Sequence, residues 1–418
     1  MRLLAPFNPD QLDATALAHA SLVGRRFLIV TAPFGGFGRA LASAIEARGG
    51  EVARMIFNAG DWLGWRRAGG KVFRKDAKAW HDSLADLSSG FTDIIVFGEG
   101  GPYNQAVLTQ RAQLPARIWV LENGYFRPDW ITLEEGGVNG SSSLPRSAAG
   151  YPVPAPPLPI TRPVGKILPY HVVNISLYHL AQMVGGLAFP RYRHPYTMSP
   201  LWQFWGHVRR YFALALQSKK NCDAAVIAAR GPFFIACLQR EGDAQLLRYS
   251  SYADNTAFLA EVMTSFAQHA PAGCRLVVKN HPLDPGLNDL PHITRCLAVE
   301  RGLGDRVDFI DGGNLAQLCR AAQGMVVNNS SAALSALGFR TPVKVMGKAF
   351  FDFEGLTDQQ GLDRFWSAPQ AADPQLFTAF RAHVIARSQI NGNFHEPRAI
   401  RPTAERIAEV FAGPGRAI

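Results

Sequence analysis

The stretch "RFLIVTAPFGGFGRALASAIEARGGEVARMIFNAGD", Arg26 to Asp61, decides the fold. A buried-strand run, Arg26 to Val30, is followed at once by glycines and then by an amphipathic helix pattern, which predicts strand, glycine turn and helix. The glycine spacing approximates a dinucleotide-binding turn, with Ala32 in the first glycine's place and Gly36 and Gly38 in the others. A dinucleotide binder also needs an acidic residue about twenty positions on, at the end of the second strand, to hold the ribose. Here "EVARMIF" ends on Asn58, and no tyrosine has a lysine four residues later. We therefore expect no nicotinamide cofactor, and read the glycines as letting the helix start close to the strand.

Working outward, buried strands alternate with helices from Phe27 to about Val138: "FLIV", "EVARMIF", "TDIIVFG", "RIWVLE". Such alternation predicts βα units around a parallel sheet. A proline- and serine-rich connector, "SSSLPRSAAGYPVPAPPLPITRPVGKILPY", breaks the pattern, and a helical block follows. Alternation resumes with "AAVIAARGPFFIACLQ", "CRLVVKNHP", "RVDFIDG", "GMVVNNSS" and "PVKVMG". The expected fold class is α/β, with two Rossmann-like domains facing a cleft and a helical, basic, membrane-facing insertion. The expected boundaries are 1–165 for the first domain, 166–220 for the basic-aromatic segment and 221–385 for the second domain. A C-terminal helix, 386–418, is expected to return to the first domain.

A chain of 418 residues, 47% hydrophobic, can bury the cores that such domains need. The opening residues carry Pro6, Pro9, Asp10 and Asp13 and lack the continuous apolar region of a secretory signal. No run reaches the roughly eighteen apolar residues of a membrane span. Cys222, Cys237, Cys274, Cys296 and Cys319 are scattered, which argues against a zinc site or a disulfide framework and for a cytoplasmic location. No metal is expected.

The net charge of +10 is unevenly spread. Between Glu135 and Asp223 there is no carboxylate, yet Arg146, Arg162, Lys166, Arg191, Arg193, Arg209, Arg210, Lys219 and Lys220 fall there, with the aromatic stretch "PRYRHPYTMSPLWQFWGHVRRYFALAL" among them. Cations interleaved with tryptophan suit an anionic lipid surface, where each near-surface Lys or Arg adds about 1 kcal/mol and the rings settle among the headgroups. Anionic substrate groups come second, and nucleic acid is not the expected partner.

Strand ends in open α/β sheets point at the ligand crevice. "VVKNHPLDPG" sets Lys279 and His281 there, and "VVNNSSAALSALGF" sets Asn329, Ser330 and Ser331 before a small-residue helix, a combination suited to one phosphate. In the first domain "VFGEGGPYNQA" carries Glu99, and "VLENGYFRPDWITLEEGGVNGSS" carries Glu122 ahead of what reads as a polar loop with Tyr125, Arg127, Asp129, Thr132, Glu134 and Asn139. Polar groups massed at a sheet's carboxyl edge make a candidate site.

At these motifs, and at "FNAGDWLGW", "KVMGKAFFDFEGLT" and "GLDRFW", the sequence resembles the capsule polysaccharide biosynthesis/export proteins of the KpsS/LipB type from Gram-negative bacteria. The resemblance covers nearly the whole chain. It implies a GT-B-like glycosyltransferase that transfers Kdo from CMP-β-Kdo, with retention, to begin a β-Kdo linker on a phosphatidylglycerol anchor at the inner face of the inner membrane. It implies that Lys279, His281, Asn329, Ser330 and Ser331 hold the CMP part of the donor. Glu122 would be the nucleophile, with Glu99 and Asp129 as alternatives, and Arg127 would meet the carboxylate of Kdo. Gly36, Tyr103, Tyr125 and Asn139 would contact the acceptor or the sugar. Other capsule assembly proteins are expected partners. Another CMP-activated sugar acid, or a non-enzymatic glycolipid adaptor, remains open as the alternative.

Overall fold

The computed structural model describes residues 21–195, 200–216, 222–242, 246 and 248–413. The first strands are β1 (Arg26–Ile29), β2 (Glu51–Ile56), β3 (Gly70–Val72), β4 (Asp93–Phe97), β5 (Arg117–Asn123) and β6 (Trp130–Glu135). The later ones are β7 (Phe233–Cys237), β8 (Arg275–Lys279), β9 (Val307–Ile310), β10 (Gly324–Val327), β11 (Val343–Val345) and β12 (Gln389–Asn391). The helices that carry or flank functional residues are α1 (Phe37–Glu46), α2 (Ala59–Trp65), α3 (Pro102–Gln110), α4 (Leu168–Val184), α5 (Pro200–Leu216), α6 (Ala332–Gly338) and α7 (Pro397–Ala412).

The chain divides into two compact units. The first comprises Met1–Leu144, Pro156–Pro195 and Ala382–Ile418, and the second comprises Pro145–Ala155 and Tyr196–Arg381. In this division residues 166–195 fall in the first unit and residues 200–216 in the second. Helix α4 docks on α2 of the first unit through small residues: a Cβ on Gly60 would meet the Tyr178 ring at 2.6 Å, and one on Gly185 would meet Ala59 at 2.3 Å. Helix α5 docks within the second unit, where a Cβ on Gly206 would lie 2.3 Å from the Pro285 carbonyl.

In the first unit the strand order is β12-β6-β5-β4-β1-β2-β3. Strands β3, β2, β1, β4 and β5 run parallel, β6 is antiparallel to β5, and β12 is antiparallel to β6. Period-two alternation explains the continuous apolar runs, since Leu28, Ile94 and Val96 feed one core while Phe27, Ile29 and Ile95 feed the other. Phe37, Leu41 and Ile45 form the inner stripe of α1 and share their core with Ile407 and Phe411 of α7, so the C-terminal segment completes the first unit. The stretch from Trp130 to Glu135, read from sequence as part of a polar loop, is strand β6. Its alternation is disguised by polar residues, of which Thr132 and Glu134 are buried.

The second unit holds an all-parallel sheet, β11-β10-β7-β8-β9. Two parallel-dominated Rossmann-like units bear out the α/β class read from the sequence. Each sheet has a switch point where the strand order reverses, between β1 and β4 in the first and between β7 and β10 in the second. Ligand crevices of open α/β sheets form there.

Candidate functional site

At the first switch point Thr31 ties the strand ends together. Its Oγ1 accepts from the Phe97 amide at 2.8 Å and donates to Asn104 Oδ1 at 2.7 Å, while Asn104 Nδ2 donates to the Phe97 and Gly98 carbonyls. The chain then leaves β4 through Gly98, left-handed at φ 72°. A Cβ at Gly98 would lie 3.1 Å from Glu122 Oε2, so the glycine makes room for the carboxylate at the end of β5. Glu122 is half-buried, and its Oε1 accepts from the Asn123 amide at 2.8 Å.

Behind it lies a buried acidic cluster. Glu99 accepts from the Val138 amide at 3.0 Å. Glu134 accepts from the Tyr125 hydroxyl at 2.7 Å and from the Ser142 hydroxyl, and Tyr125 Oη accepts in turn from the Asn139 amide at 2.8 Å. Burial pushes the Glu134 carboxyl up to about 7, with the Glu99 charge adding to the rise. Burial likewise raises the Tyr125 phenol well above its ordinary range. The structure therefore gathers Glu99, Tyr125 and Asn139 around Glu134 and sets Glu122 beside Gly98.

Other expected residues have different surroundings. Asp129 clasps the unit together, its Oδ1 accepting from the Val164 amide at 2.9 Å and its carbonyl accepting from Asn391 Nδ2 and Gly392. Arg127 is exposed and donates to the Gly124 carbonyl. Tyr103 is core, stacked between Phe57 and Tyr192, with its hydroxyl accepting from the Arg193 amide. Gly36 begins α1 without a side-chain cap. Asn58 turns out to be the cap of α2, accepting from the amides of Gly60 and Asp61.

At the second switch point the register aligns Lys279 with Cys237 and Cys237 with Val327, so β8, β7 and β10 end in one row. Lys279 is buried and donates to the Gly312 carbonyl at 2.9 Å. Just past the row, Gln239 Nε2 donates to Asn329 Oδ1 at 2.7 Å, and Asn329 Nδ2 donates to the Tyr249 carbonyl. His281 Nδ1 accepts from the Leu283 amide, and Ser330 Oγ accepts from the Ala332 amide at the start of α6, with Ser331 at its cap position. Arg210 turns inward from the basic block, pairing with both oxygens of Asp311 and donating to the carbonyls of His281, Pro282 and Asp284. It braces the His281 loop, and so it is not among the outward-facing cations.

Sequence reasoning missed a polar group over the glycine turn. Nδ1 of His171 and Nε2 of His395 are 3.0 Å apart, and Asn174 packs on Gly35, where a Cβ would meet its side chain at 2.8 Å. Phe394 anchors the return by lying edge-on to Phe37 and Phe97. Burial, with the His171 charge adding, pushes the His395 imidazole down to about 3. Among the described residues no group of three or more His, Cys, Asp or Glu is placed to hold a metal ion.

Two α/β units with polar switch points of opposite character define the class, and comparison with known proteins supplies the family. Residues 92–395 match the family described as capsule polysaccharide biosynthesis protein, and the chain belongs to that family. It is 32% identical over 380 residues to the capsule polysaccharide export protein KpsS of Escherichia coli, covering 90% of this chain and 98% of that one. It is also 32% identical over 393 residues to the capsule polysaccharide modification protein LipB of Neisseria meningitidis serogroup B, covering 88% and 91%. Among solved structures, KpsC of Thermosulfurimonas dismutans, a beta Kdo 2,7 transferase, matches with a TM-score of 0.39 and 14% identity over 85% of this chain and 89% of that one.

Proposed function

We propose that this protein is a glycosyltransferase that moves Kdo from CMP-β-Kdo, with retention, to a phosphatidylglycerol-type lipid, starting the β-Kdo linker of a capsular polysaccharide. The observation that carries the reading is the row of Lys279, Gln239 and Asn329 at the second switch point of a chain from the capsule family. Breaking the donor's sugar–phosphate bond builds charge on the CMP phosphate, and preorganised donors lower that barrier. Lys279 and His281 take that part, with Asn329, Ser330 and Ser331 holding the rest of the CMP portion.

Retention follows from two displacements. A Glu122 oxygen attacks the anomeric carbon and CMP departs with the bonding pair; the acceptor hydroxyl then displaces Glu122, its proton passing to water. Glu122 is preferred as nucleophile because it is half-buried beside Gly98, whereas Glu99 is buried and Asp129 spends its carboxylate on Val164. Arg127 takes the Kdo carboxylate.

The lipid is met at the inner face of the inner membrane, in company with other capsule assembly proteins. Exposed Trp202, Trp205 and Phe212 on α5, with Arg209 among them, form a face of the kind that lies in a headgroup layer. On α4, Val172, Val173, Leu177 and Leu180 are exposed in the same way. Among the described residues no helix is long and apolar enough to cross a membrane. The test is to incubate the protein with CMP-Kdo and a fluorescent phosphatidylglycerol and weigh the lipid. A gain of one Kdo is expected; an unchanged lipid with CMP still bound would replace this reading by another sugar acid or a glycolipid adaptor.

A further inference from the structure

Arg54 lies inside β2 and is 2% exposed. Its Nη2 reaches Asp61 at 3.4 Å, and its Nε and Nη1 have no hydrogen-bond partner among the described residues. Leaving such donors unmade in a buried place carries their full desolvation cost, and more when the group is charged. Asp61 compensates incompletely, because burial itself raises its carboxyl despite the neighbouring Arg54 charge.

The unmade donor lies against the first turn of a helix. A Cβ on Gly38, in the first turn of α1, would lie 2.9 Å from Nη1, and one on Gly64 of α2 would lie 3.7 Å from it. Helix α1 has ten residues, no side-chain cap and no acidic residue in its first turn. Its opening amides therefore lack an intrahelical acceptor, and its positive dipole end is unopposed. Gly35, left-handed at φ 89°, leads the chain into that turn. Beside it stands α4, with Asn174 packed on Gly35, Tyr178 bonded to Asp61, and Val172, Val173 and Leu177 exposed.

We propose that the N-terminus of α1 and Arg54 together form an anion site for a phosphate-class group in the first unit. Resting on the function proposed above, that group is the phosphodiester of the acceptor lipid, whose apolar portion would run along the exposed side of α4. Inorganic phosphate shares the chemistry.

The probe is glycerol phosphate, followed by phosphorus NMR line broadening on the full chain and on Arg54→Met, Gly38→Ala and Lys279→Ala variants. Broadening is expected with the wild type and with Lys279→Ala. Arg54→Met should weaken binding about tenfold or more, the worth of a hydrogen bond to a charged group. Gly38→Ala keeps Arg54 but crowds Nη1, and should weaken binding even if Arg54→Met does not fold. No broadening by the wild type, unchanged affinity in both first-unit variants, or loss confined to Lys279→Ala would overturn the site. Displacement by short-chain phosphatidylglycerol or by inorganic phosphate supports it, and the stronger competitor names the source. Kdo transfer in the same samples separates the two readings: transfer without anion binding removes this site alone, whereas anion binding without transfer leaves the site and removes the function.

Discussion

The two switch points share a topology and carry opposite chemistry. At the first, Glu99, Glu122 and Glu134 crowd one edge of the sheet while a histidine pair covers the glycine turn, and two of these groups titrate far from their ordinary values. At the second, Lys279 and the amides of Gln239, Asn280 and Asn329 line the edge with donors and acceptors. A parallel sheet decides where a crevice forms, and the residues just past its strands decide what it can hold. Under the proposed function, the first edge would meet the anomeric carbon of the donor and the second its phosphate.

The first edge makes stability depend on pH through two groups. His395 has its folded value pushed down from 6.5 to about 3, so only the unfolded chain takes its proton between those limits. Stability from this group is present above about pH 6.5 and is lost as pH falls towards 3, at a slope approaching about 1.4 kcal/mol per pH unit. His395→Gln should flatten this acid limb in denaturant titrations; an unchanged limb would take His395 out of the comparison.

Glu134 works in the opposite sense over a narrower window. Its folded value is raised from 4.5 to about 7, so the folded chain holds the proton longer and stability falls as pH climbs through that range, with the same limiting slope of about 1.4 kcal/mol per pH unit. Glu134→Gln keeps one acceptor oxygen, for either Tyr125 or Ser142, removes the titrating group and should remove the fall. A variant that still lost stability between those limits would show that Glu134 is not the group responsible.

A smaller effect belongs to the second edge. Asn329→Ala removes the partner of Gln239 and one polar contact of the row, and should weaken CMP binding about tenfold by calorimetry, at about 1.4 kcal/mol for one such contact. Unchanged affinity would move the donor away from β10.

The sequence made the second edge legible because Lys279, His281 and Asn329 directly follow apolar runs, and a strand's end is visible where the run stops. The first edge was legible only in part. Glu99 and Glu122 also follow strands, but Glu134 lies in β6, whose buried Thr132 and Glu134 broke the apolar pattern and read as loop. Tyr103, expected to contact the acceptor or the sugar, packs on Phe57 and accepts from the Arg193 amide. His171, Asn174 and His395 come from segments far apart, brought over Gly35 by the docking of α4 and the return of α7, which no local pattern announces. Arg54 did leave a trace, as a lone cation in a strand that ends "MIF".

The division of labour between the edges is tested most directly by measuring CMP affinity and Kdo transfer side by side for Glu122→Gln and His281→Ala. The account predicts that Glu122→Gln abolishes transfer and binds CMP like the wild type, and that His281→Ala binds CMP more weakly. A fully active Glu122→Gln, or a His281→Ala with unchanged CMP affinity, would contradict it.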